Sequence, residues 1–154
     1  MHETTSVDVI VYCRESIPSL FLLLQREGDT RRAGLWHLLT GNISAGEHPL
    51  RAACRTVREQ TGLEALDCWA IDYVHTCYDP TEDRMNFIPV FLIEVASTKL
   101  AVALEPNASR WIRYDQALEM LRCPCHREEL RRAQEDVVTS HDRGVNFRIP
   151  LPAM

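Results

Sequence analysis

The sequence predicts a mixed α/β (α+β) fold in a single domain over residues 1–154. Short β-rich runs alternate with amphipathic stretches, a turn-forming pentapeptide separates two long β-rich segments, and Pro49 and Gly62 bracket a helical pattern. A chain of 154 residues with 45% hydrophobic content can bury one sizeable core. Neither a repeat nor a Gly/Ser linker marks an internal boundary.

Val7, Val9 and Val11 alternate with Asp8, Ile10 and Tyr12 in a first strand, and the apolar run 20–24 makes a second across the loop holding Pro18. Residues 35–39 read as a short strand ending at Thr40-Gly41. A helix follows over 49–61, because proline suits a first helical turn and glycine a C-terminal cap. Asp79-Pro80-Thr81-Glu82-Asp83 joins strands over 66–78 and 85–96 as a hairpin. Residues 101–104 and 110–113 suggest short strands, 115–121 and 124–138 two helices, and 139–154 an extended C-terminal tail.

With 17 basic and 22 acidic residues the net charge is −5, which disfavours bulk binding of a nucleic acid polymer or an anionic membrane but leaves room for a small polyanion in a local cationic site. Met1-His2-Glu3-Thr4-Thr5 carries neither part of a signal peptide and no apolar run reaches a membrane span, so a cytoplasmic location is expected. The six cysteines are irregularly spread and read as reduced thiols.

On the central helix Leu50, Ala53, Cys54 and Val57 fall on one face, with Arg55, Thr56 and Glu59 on the other beside Ala52. Arg55 and Glu59 are four apart and converge on one region, an arrangement equally readable as a solvated ion pair. The longer pattern adds Gly41, Glu47, Arg55, Val57, Glu59, Gly62 and Leu63 at fixed spacings. It resembles the signature of the Nudix hydrolase superfamily (MutT-like), which reads Gly, five residues, Glu, seven residues, Arg-Glu, an aliphatic, any residue, Glu-Glu, any residue, Gly, an aliphatic. Thr56 stands where the family has the first Glu after its Arg, and Gln60 where it has the last. Trp36-His37-Leu38-Leu39 before the box, and Arg110-Trp111-Ile112 followed by Ala117-Leu118, are similar to other parts of Nudix chains.

The resemblance implies a mixed sheet sandwiched between helices, a loop-helix-loop box, and hydrolysis of a phosphoanhydride in a nucleoside triphosphate or nucleoside diphosphate derivative with Mg²⁺ or Mn²⁺. It implies that Glu59 ligates metal, that the carbonyl near Gly41 assists, and that Arg55 with Glu47 holds the loop against the helix. A diphosphate resists water until a hard cation neutralises it, and such a cation wants several oxygen ligands, chiefly carboxylates. Thr56 and Gln60 keep oxygens but no charge, so metal affinity should fall, and Glu at both positions should restore it. The alternative is therefore a non-catalytic nucleotide- or metabolite-binding module on the same fold.

Outside the box, Glu105 is a candidate base, with a plain surface carboxylate as the other reading. Trp36, Tyr78 and Trp111 each offer a face on which a base can stack, or pack in core or rim. Arg26, Arg31 and Arg32 read better as a solvated loop than as a phosphate site, since Glu27 and Asp29 dilute their charge. Cys123-Pro124-Cys125-His126 invites a zinc reading, but only the lone His141 follows, and Pro124 reads better as a helix start. The partner expected is a small nucleotide-like substrate, with a homodimer left open.

Overall fold

The computed structural model describes residues 2–15, 17–25, 34–100 and 108–153. Strand β2 (Ser6–Cys13) is the axis of a curled mixed sheet. It pairs antiparallel with β3 (Leu20–Gln25) and β5 (Leu39–Asn42), and parallel with β7 (Arg84–Val95). The hairpin partner β6 (Ala65–Asp79) pairs with β7 along most of its length, the register shifting between Ala70 and Val74. Short strands β1 (His2–Glu3), β4 (Trp36–His37) and β8 (Ser109–Ile112) add to β7, β3 and β3.

The period of two in β2 divides the core. Val7, Val9 and Val11 face helix α1 (Pro49–Thr61) in one apolar cluster with Ala52, Ala53, Cys54 and Val57. Ile10 and Tyr12 face the opposite cluster, which holds Ala117 of α2 (Tyr114–Met120) and Leu130 and Ala133 of α3 (Pro124–Ala133). The sheet is thus sandwiched between helices. Asp8 shares the parity of Ile10 and lies toward α3, 2% exposed.

Helix α1 has the span read from sequence. Pro49 opens it, and Gly62 closes it at φ 76°, its N–H donating to the Arg58 carbonyl, a left-handed backbone that suits glycine. Two details of its faces differ from the helical-wheel reading. Ala52 and Thr56 are buried and Leu50 only partly so, because α1 packs against β5 as well as β2. The strand expected over 35–39 breaks at Leu38, so that β4 joins β3 while β5 joins β2. Helix α3 continues as a π-helical turn, Gln134–Val138. Beyond Thr139 the chain is extended only at β9 (Arg148–Ile149), which pairs with β6 after a series of turns over 141–147. The strand expected over 101–104 lies outside the described residues. Among the described residues no helix is long and apolar enough to cross a membrane, and all six cysteines are free.

Candidate active site

The loop before α1 is held by one side chain. Arg55 donates through Nε and Nη2 to both oxygens of Glu47 (2.9 and 2.8 Å), through Nη2 to the Asn42 carbonyl (2.6 Å) and through Nη1 to Glu59 (3.2 Å). The Ser44 N–H donates to Glu47 as well. Such a planar fork on a carboxylate fixes orientation as well as charge. The Arg55 guanidinium and the Ser44 N–H hold the Glu47 carboxyl down at about 2.

The two positions that depart from the box pattern are absorbed by the same strand. Val7 pairs with Gly41, so Gly41 lies over α1, and a Cβ there would collide with the Thr56 hydroxyl. Thr56 is 2% exposed and serves as packing under the glycine. Gln60 donates from Nε2 to the Thr40 carbonyl (3.0 Å), closing a backbone group that a carboxylate would repel. Glu59 keeps an outward side chain, 60% exposed.

On the α3 side of the sheet lies a cavity of about 630 Å³. Its walls are Ser6 and Asp8 of β2, Trp36, His37 and Thr40–Asn42 before the box, His75 and Cys77 of β6, Ile88 of β7, and residues 122–124 with His126. Trp36 and Gly41 therefore line it. Arg55, Glu47, Glu59 and Gln60 do not, yet Arg55 and Gln60 grip its wall from behind through Asn42 and Thr40. Tyr78 is half exposed near the hairpin tip, its hydroxyl donating to Asp83 (2.7 Å), and does not line the cavity. Trp111 packs partly buried against the core on the α1 side. Glu105, Arg26, Arg31 and Arg32 lie outside the described residues.

The cavity floor carries charge that the motif reading passed over. Asp8 Oδ2 lies 3.3 Å from His75 Nδ1 and 3.6 Å from His126 Nε2. Glu129, one turn beyond His126, is completely buried beside them. Burial works to raise the Asp8 carboxyl, but His126, His75 and Glu129 outweigh it and hold the group below the carboxylate range. Burial first, then Asp8 alongside, pushes the Glu129 carboxyl up. The sequence held one signal for this cluster: an aspartate inside an otherwise apolar strand, Val7-Asp8-Val9-Ile10-Val11. Its partners, 67 residues away and more, left no local pattern.

Among known proteins, the chain is 33% identical over 117 residues to an octanoyltransferase of Myxococcus xanthus, covering 73% of this chain and spanning 31% of that protein's length. It is 26% identical over 121 residues to the mouse (Mus musculus) asymmetrical bis(5'-nucleosyl)-tetraphosphatase, covering 73% of this chain and 80% of that one. The fold superposes on the NUDIX domain of Shewanella oneidensis NrtR, solved with ADP-ribose, with TM-score 0.68, 16% identity and 86% of each chain covered. The family model of the NUDIX domain matches residues 2–133, which takes in both faces of the sheet, the box and all of α3, and the chain belongs to that family.

Proposed function

We propose that the chain binds a nucleoside triphosphate or nucleoside diphosphate derivative in the cavity and cleaves a phosphoanhydride by attack of water on phosphorus. The carrying observation is that cavity and box share one strand: Thr40 and Asn42 line the cavity, and their carbonyls are held by Gln60 and Arg55. A ligand whose base stacks on Trp36 would run along this strand, and Glu59, which does not line the cavity, would meet only phosphates that extend past Asn42 and the box loop toward α1. The named activity of the tetraphosphatase relative and the ADP-ribose of the NrtR domain agree with that ligand class.

The box donors fit a divalent metal only in part. Glu59 is the one box carboxylate outside the Arg55–Glu47 fork, and the Gln60 amide turns its N–H toward the strand carbonyl. Glu59 and the carbonyl near Gly41 would help to hold a Mg²⁺ or Mn²⁺ that arrives on the phosphates of the substrate. When bound, the ion neutralises phosphate charge and polarises the bridge. The chain's own contribution is then to orient: Trp36 for the base, Arg55 for the loop, Glu59 for the metal–phosphate end, with Glu105 the candidate base. Water adds to one phosphorus as the bridge oxygen leaves with the other, giving pyrophosphate or phosphate from a nucleoside triphosphate and two phosphate monoesters from a nucleoside diphosphate derivative.

A second reading, a nucleotide-binding module without turnover, is favoured by the same Gln60–Thr40 hydrogen bond, which replaces a metal-facing charge with a neutral bond. A screen for product release over dinucleoside polyphosphates, ADP-ribose and nucleoside triphosphates with Mg²⁺ or Mn²⁺, with nucleotides and sugar phosphates resolved by chromatography beside free phosphate and pyrophosphate, separates the two. Turnover above that of Glu59→Ala supports the hydrolase. Saturable binding without release supports the module, and neither binding nor release refutes both.

A further inference from the structure

Asp8, His126 and Glu129 meet at the cavity floor from two elements that sequence separates by more than a hundred residues. His126 and Glu129 are three apart on α3 and project together, as metal-binding pairs on helices do. The three ligand atoms lie within 4.8 Å of one another, and the residues are 2%, 4% and 0% exposed. Among the described residues neither Glu129 oxygen has a hydrogen-bond partner. An orphaned buried carboxyl is costly, and an ion at the point toward which it is aimed removes that cost.

We propose that Asp8, His126 and Glu129 form a binding site for a zinc-class divalent cation, separate from the box, with an open coordination position toward the cavity. Two carboxylates and a neutral imidazole match the charge of a divalent ion. Nitrogen among the donors favours Zn²⁺ over Mg²⁺ or Ca²⁺, and three protein ligands with one vacancy is the pattern of an open zinc site. Ligand atoms around tetrahedral zinc are roughly 3.3 Å apart, and the His126–Asp8 pair at 3.6 Å is close to that already. Glu129 would have to bring its carboxyl oxygen in from within the 4.8 Å that bounds the set.

His75, its Nδ1 3.3 Å from Asp8 Oδ2, orients the carboxylate from behind, as outer partners of metal ligands do. The ion would neutralise the Asp8 and Glu129 carboxylates that it draws together. It also requires the His126 ring proton on Nδ1, giving up the long hydrogen bond, 3.3 Å, that Leu38 N–H donates there. The Cys-Pro-Cys-His segment thus finds its second cluster in Asp8 and Glu129, with His126 as the member that takes part.

The test is calorimetric titration of the full metal-stripped chain with Zn²⁺ alone, together with Co²⁺ absorption spectra. The expected result is one ion per chain with a tetrahedral cobalt spectrum free of thiolate charge-transfer bands. Glu129→Gln, an uncharged variant of the same shape, and His126→Gln should each weaken binding by more than about tenfold, and His75→Ala by roughly tenfold. Circular dichroism checks that each variant is folded, and Glu129→Gln guards against a folding failure at His126. Glu59→Ala should leave the titration unchanged, so this site and the hydrolase reading fail separately. Absence of stoichiometric binding, or binding that survives Glu129→Gln and disappears in Cys123→Ser/Cys125→Ser, would overturn the proposal.

Discussion

Arg55 ties the loop carbonyl at Asn42, the Glu47 carboxylate and Glu59 to one helix face, so the loop's geometry depends on Glu47 being ionised. Its folded carboxyl titrates at about 2 against an ordinary 4.5. A carboxyl lowered by folding contributes stability that is complete above the unfolded value and is lost as pH falls through the folded one. The stability gap between the native protein and Glu47→Gln should therefore be full above about pH 4.5 and shrink toward pH 2, read by urea denaturation across that range. A pH-independent gap would mean that the fork does not hold the loop. The different burial of Thr56 and Gln60 decides what restoring each box carboxylate would achieve. Gln60 is partly exposed, and Gln60→Glu should raise Mn²⁺ affinity in the presence of nucleotide by about tenfold or more, measured by titration. Thr56→Glu puts a carboxylate into a 2% exposed site beneath Gly41 and should cost at least about 2 kcal/mol by denaturant unfolding.

Helix α1 owes its boundaries to local chemistry. Proline lacks the N–H that a first turn leaves unpaired, and Gly62 adopts φ 76° without a Cβ penalty. Gly62→Ala should destabilise by about 1–2 kcal/mol with no change in the box side chains, read as a lowered denaturation midpoint. An effect near zero would show that the cap relaxes. The hairpin of β6 and β7 is similarly local, its turn formed by residues 80–83 and Asp79 Oδ1 accepting from the Thr81 N–H. By contrast, β4 and β5 come from one apolar run that is divided between two partners, and only the positions of β2 and β3 determine where it divides.

At the scale of the whole molecule the C-terminal segment closes the edge of the sheet. The buried Trp69 indole donates to the Arg143 carbonyl (3.0 Å), Ala70 N–H donates to the Phe147 carbonyl (2.8 Å), and β9 pairs with β6. Removing residues 141–154 leaves the Trp69 N–H without its partner and uncovers the second apolar cluster, against which Phe147 packs. The truncated chain should lose about 2 kcal/mol or more and bind an apolar dye, measured by thermal and denaturant unfolding. Unchanged stability would mean that the segment is an ornament on a self-sufficient domain.

What the sequence determined by itself is the layered α/β organisation, the span and caps of α1, the hairpin and the Arg55–Glu47–Glu59 constellation. All rest on periodicity, turn chemistry and spacings of at most a dozen or so residues. Tertiary structure alone decided that Thr56 is packing rather than a cleft residue, that Tyr78 stands away from the cavity, and that Asp8 meets His75, His126 and Glu129. Burial and charge pairing at these positions depend on which distant segments the sheet and α3 bring together. An isolated strand containing Asp8 or a helix turn containing Glu129 carries no local mark of that meeting.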